Sequence, residues 1–201
     1  MSKLETNTID TISGSNTLTL GGTNLSTVDM ASGVSPGTGM GKVLQTKYFQ
    51  TGASLTASNT SFADLGSFSV TITPNSTSSI ILLSANFGSA YGGTGANSVM
   101  FRFTRNGTAV AVGDQEGSNR PRTSFRTSSV TKLLSSDTNH AIGLSFSAID
   151  TPSSTSALTY KIQNWNEAGI FYLNRNINYE DTVANYSGIC FSSFIVQELA
   201  G

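Results

Sequence analysis

Val99–Val112 reads VMFRFTRNGTAVAV, and this stretch decides the fold. Val99, Phe101 and Phe103 alternate with Met100, Arg102 and Thr104, the period-two pattern of a strand with one buried face. Asn106-Gly107 then supplies two residues that tolerate positive φ, the preferred chemistry of a two-residue β-hairpin turn. Thr108–Val112 is the returning strand.

The same punctuation recurs outward from this hairpin. Upstream, Ser79–Phe87 contains Ile80-Ile81-Leu82-Leu83, an unbroken apolar run expected of a strand buried on both faces. Phe62–Thr73 places Phe68, Val70 and Ile72 on one face and stops at Pro74-Asn75. Val43–Gln50 is the first strand of the series. Downstream, strands are expected at Thr123–Leu134 and at His140–Ile149, where Ile142, Leu144, Phe146 and Ala148 share a face. Leu158, Tyr160 and Ile162 mark another, followed by Gly169–Leu173 and Gly188–Glu198. In the last, Cys190, Phe194 and Val196 face one way and Ile189, Phe191 and Ile195 the other. About ten short strands with turn signals between them, and no amphipathic helix, predict an all-β, jelly-roll-like β-sandwich over residues 42–201.

Residues 1–41 are of a different kind. They hold no aromatic residue. Ile9 and Ile12, then Leu18 and Leu20, are short β-patterned pairs separated by a Ser/Gly/Asn turn, and ASGVSPGTGMG (31–41) is a joint. The sandwich is thus preceded by an extended, β-rich N-terminal arm. It has too little apolar surface to fold alone, and either stays disordered or orders against another chain. Ile9, Ile12, Leu18 and Leu20 are the candidate assembly residues, able to meet around a threefold axis in a homotrimer.

Composition narrows the function. Charged residues are 11% of the chain and the formal net charge is −1, against roughly 25% charged in an ordinary domain. More than a quarter of the chain is Ser or Thr, so polarity comes from hydroxyls and amides. No electrostatic case exists for nucleic acid or an anionic membrane. No stretch has the length of a membrane helix. The opening residues show no secretory signal, so synthesis in a cytoplasm is expected. One His (His140) and one Cys (Cys190) give no zinc site and no disulfide, and no cofactor motif is present. Cys190 reads as a buried small hydrophobe. The carboxylates Asp114, Glu116, Glu167, Glu180 and Asp181 sit in polar loops and read as solvated charges rather than a hydrolytic pair; a calcium site from Asp114, Asp181 and carbonyls stays open, with no motif behind it. The chain is expected to be a non-enzyme.

Two groupings admit a binding role. Arg120-Pro121-Arg122 with Arg126, beside Asp114 and Glu116, can grip an acidic glycan or carboxylate, or form an interchain ion-pair patch or a solvated loop. The aromatics Trp165, Phe171, Tyr172, Tyr179 and Tyr186 can stack on sugars, or serve as core and interface. Recognition is expected in loops: Ser89–Asn97 with Tyr91, Asp114–Arg122 with Arg120 and Arg122, and Asn174–Tyr186 with Tyr179 and Tyr186.

The ordered set MSKLETNTIDTISGSNTLTL, GKVLQ, SVTITPNSTSSIILL, FTRNGTAVAVGD, SSTSALTYKIQ and FYLNRN resembles a family of tail-fibre-like proteins of marine tailed phages. The resemblance covers most of the chain. It implies a trimeric virion protein, anchored to another virion protein by its N-terminal arm, with an outward β-sandwich head. A tail fibre or spike is the leading expectation. A capsid decoration or cement protein and a lectin-like module for a host glycan or protein are the alternatives. The chain departs from the family at GICFSSFIVQELAG (188–201), where a Thr/Ser-rich strand is replaced by an apolar and aromatic one. The outer face of that strand can therefore meet water or another protein.

Overall fold

The Asn-Gly turn forms as its chemistry dictates. In the computed structural model Asn106 and Gly107 take φ of 49° and 84°, and Phe103 pairs Val110 while Arg105 pairs Thr108. The structure describes residues 42–92, 98–127, 141–176 and 188–201. The arm residues Ile9, Ile12, Leu18 and Leu20, and also His140, Tyr179, Glu180, Asp181 and Tyr186, lie outside the described residues.

Eleven strands are described: β1 (Val43–Thr51), β2 (Leu55–Ala57), β3 (Ala63–Ile72), β4 (Ile80–Gly92), β5 (Val99–Arg105), β6 (Thr108–Val110), β7 (Phe125–Thr127), β8 (Ile142–Asp150), β9 (Leu158–Asn166), β10 (Phe171–Leu173) and β11 (Ser192–Leu199). They make two antiparallel sheets, a β-sandwich. The first runs β1-β11-β4-β10-β2, with β8 on β4; the second runs β3-β9-β5-β6, with β7 on β5. Ala90 pairs Ile142 of β8 and Leu173 of β10. β8 therefore occupies one edge of β4, while β11 and β10 follow each other along the opposite edge.

The period-two pattern puts large side chains between the sheets. Leu65, Ile72, Ile81, Leu83, Phe101, Phe103, Ile162 and Phe194 are fully buried. Phe87 of β4 meets Phe68 at 5.6 Å and Phe101 at 5.4 Å, both edge-on, and so ties one sheet to the other. Phe103 and Phe194 stack across the gap at 5.7 Å. Full burial of such side chains contributes on the order of 1.5–3 kcal/mol each before cavity effects. Gly66, at φ 52°, sits in a bulge between Asp64 and Ser69 that lets both Leu65 and Phe68 turn inward.

Some expectations are corrected. The run Ile80–Leu83 is not buried on both faces: Ile81 and Leu83 are buried, but Ile80 and Leu82 are only half-buried. β4 runs five residues past Phe87, to Gly92. At Gly88 a side chain would collide with the backbone carbonyl of Phe191. The small residues there answer close packing rather than a loop. β6 ends at Val110 because Ala111 takes φ 50°. β11 begins at Ser192, so Cys190 precedes the strand and is half-exposed rather than buried.

One buried charge closes an end of the sandwich. Glu198 on β11 is fully buried. Its carboxylate accepts from Ser79 Oγ at 2.6 Å, the Asn75 backbone N–H at 2.6 Å and Gln45 Nε2 at 2.6 Å. Burial pushes its pKa up, but the hydrogen bonds from Ser79, Gln45 and Asn75 outweigh it and hold the group below the ordinary carboxylate value.

Candidate functional site

Register builds a groove on the outward face of the second sheet. Met100 of β5 lies opposite Trp165 of β9 on one side and Arg126 of β7 on the other. Period-two alternation points all three away from the core. Together they form the floor of a groove of about 650 Å³, whose remaining lining is Thr60, Ser98, Arg120, Pro121, Thr123 and Glu167.

Each wall is held by identifiable bonds. Phe62 meets the Trp165 indole at 5.4 Å and 79°, and the Arg102 guanidinium lies 4.0 Å over the Phe62 ring. Arg102 also donates through Nε to Gln163 Oε1 at 2.9 Å. The loop after β6 returns over the groove because Arg122 Nε donates to the Gly113 carbonyl at 2.7 Å and Gly113 N–H donates to the Thr123 carbonyl at 3.2 Å. Gly117 makes the tight turn at φ 72°. At the end of the groove Arg126 Nη2 donates to Ser98 Oγ at 2.6 Å, and the Ser98 N–H donates to Glu167 Oε2 at 3.1 Å.

The structure sorts the expected binding residues. Arg120, Arg126 and Trp165, from two separate sequence groupings, line one groove. Arg122 does not line it; its guanidinium braces the loop. Arg120 also pairs with Glu116 at 3.2 Å, both highly exposed. Tyr91 is not a loop anchor: it lies in β4 at 1% exposure, edge-on to Tyr172 at 6.0 Å. Asn174, expected in a recognition loop, is 1% exposed. Its amide donates to the Thr51 and Ala53 carbonyls, each at 3.0 Å, and accepts from Ser192 Oγ at 2.6 Å. Asn176 is also buried. Phe171 is core, in the ring cluster with Phe101 at 5.4 Å.

A different surface lies on the outer face of the first sheet. Paired rows carry Tyr48, Ile195, Ser84 and Ser147, then Thr46, Gln197, Leu82 and Ile149, then Gln50, Ser193, Asn86 and Ser145. None of these twelve carries a charge. Tyr48 is 63% exposed, Ile149 60% and Phe191 54%. Tyr48, Phe191 and Ile195 line a shallow groove of about 250 Å³ there. The alternation of GICFSSFIVQELAG signalled this surface, because Phe191 and Ile195 fall opposite Phe194 and Val196.

Among the described residues no group of three His, Cys, Asp or Glu side chains is placed to hold a metal ion. No described helix is long and apolar enough to cross a membrane. No protein-family model matches the chain, and no curated protein matches it.

Proposed function

We propose that this chain is a non-enzymatic, self-assembling structural protein of a phage particle: a homotrimeric tail fibre or spike, with an anchoring arm and an outward sandwich head. The observation that carries the self-assembly is the uncharged outer face of the first sheet. Protein–protein contacts are poor in charge at their centre and rich in aromatic side chains. Tyr48, Phe191, Ile149, Leu82 and Ile195 supply that composition on one continuous face. A second copy is the occupant it suits. Two uncharged faces meet without like-charge repulsion or a buried unpaired ion, and the chain's net charge of −1 adds little repulsion between copies. Among the described strands β1, which carries Tyr48, is also an edge of its sheet, and assembly would shield that edge. The virion setting is supported by the resemblance of the ordered motifs to tail-fibre-like proteins.

Light scattering on the full chain is expected to return three times the 21.0 kDa chain mass. A monomer mass at micromolar concentration overturns the assembly. Antibody labelling of purified particles should place the protein on the virion, and unlabelled particles overturn that setting.

A further inference from the structure

We propose that the Trp165 groove is a binding site for a carboxylated saccharide of the uronic-acid type. This goes beyond the structural role proposed above and does not depend on it. Three independent features converge. The first is a flat apolar platform, the Trp165 indole beside buried Met100. It suits the C–H face of a pyranose ring, and its orientation is fixed before any ligand arrives by Phe62 and, behind it, Arg102. The second is cationic. Arg126 spends one N–H on Ser98 Oγ, and among the described residues no carboxylate pairs with it. Its planar fork remains available for a carboxylate. Arg120 overhangs the same space, tied only at the surface to Glu116. The third is a set of short polar groups able to meet sugar hydroxyls: Thr60 and Glu167, together with the indole N–H, which donates to nothing among the described residues.

The balance of these groups selects the class. Glu116 already offsets Arg120 and Glu167 bonds the Ser98 N–H, so Arg126, which no carboxylate among the described residues pairs, is the cation that favours an acidic sugar over a neutral one. A nucleic acid would need a run of cations along a backbone, and the groove offers two beside a single large aromatic. About 650 Å³ lies within the range of small-ligand sites.

Trp165 is the only tryptophan in the chain, so its fluorescence reports on this groove alone. The full chain is titrated with the tetrasaccharides of galacturonate, mannuronate and hyaluronan, each beside its methyl ester. At least one acid should change the fluorescence saturably, and its ester should bind about tenfold more weakly or worse. Arg126→Met should remove that preference while the circular dichroism stays that of the folded protein, with a small fall in melting temperature from the lost bond to Ser98. Failure of all three acids to bind overturns the proposal. So does equal binding of acid and ester, or unaltered binding by Arg126→Met. Assembly mass is not read here, so a chain that binds as a monomer refutes the trimer and leaves this site standing.

Discussion

The two outer faces of this sandwich come from the same kind of strand and end in opposite chemistry. On the second sheet outward side chains satisfy one another. Lys161 Nζ donates to Asp64 at 2.7 Å, Gln163 donates to the same carboxylate at 2.9 Å, and Arg102 donates to Gln163. On the first sheet the outward rows are uncharged; Gln197 donates to Thr46 and Ser145 to Asn86, but the large Tyr48 and Ile149, with Phe191 near Tyr48, stand in the open. A face whose polar groups are mutually bonded is finished in water. An uncharged face with exposed aromatics gains by being covered. The difference separates a surface that can receive a soluble ligand from one that suits another protein.

The largest expected effect breaks the apolar face. Tyr48→Asp with Phe191→Asp should convert the proposed trimer to monomer, weakening association by more than about 4 kcal/mol because each subunit would bury two unpaired charges. Light scattering and circular dichroism check it together: folded monomer is the expected pair, and an unchanged mass means that this face is not the contact. Glu198→Ala is the sharpening control, since it strikes the same strand from the core side. It strands the Ser79 and Asn75 donors and should cost about 3 kcal/mol by denaturant titration, while the mass stays unchanged wherever the protein is folded.

The smallest effect falls on the bonded face. Hydrogen bonds from Lys161 and Gln163 hold Asp64 below its ordinary pKa against the opposing effect of burial, and the Lys161 charge adds to them. A carboxylate depressed by folding stabilises fully above its unfolded pKa, and that stability is lost as pH falls through the folded value. The window therefore lies below about pH 4. Both partners are 40% exposed, so solvent screening limits Asp64→Asn to well under about 1 kcal/mol at neutral pH. A melting-temperature loss comparable with that of Glu198→Ala would mean that the bonded face is no mere surface.

Local pattern made much of the fold legible. The Asn106-Gly107 hairpin, the inward faces of Ile142–Ala148 and the Phe194/Val196 alternation need only period and turn chemistry. What escaped depends on distant partners. Ser89–Gly92 reads as a loop because it is small and polar, yet it is strand: β8 and β10 pair with it from either side. Leu55–Ala57 is too short to signal itself without β10. The groove was half visible. Arg120, Arg126 and Trp165 each stood out by type, but only the register of Met100 with both Trp165 and Arg126 brings them together. Met100, Ser98 and Thr60 carried no signal of their own. Asn174 reads as the start of a recognition loop and is instead a buried tie between its own segment, Thr51–Ala53 and Ser192.

The pairing of β1 with β11 bears on how the protein is made. Val43 lies opposite Leu199, and the Ala200 N–H donates to the Lys42 carbonyl at 2.9 Å. The strand that attaches β1 to the sheet is thus the last of the described strands to leave the ribosome. Until it does, β1 has no neighbour among the described strands of its sheet, one edge of β4 stays open along Ile80–Phe87, and the Glu198 cap cannot form. Nascent chains would wait in an adhesive state, so the tempo of translation through the β11 codons and the help of chaperones bear on how much protein matures.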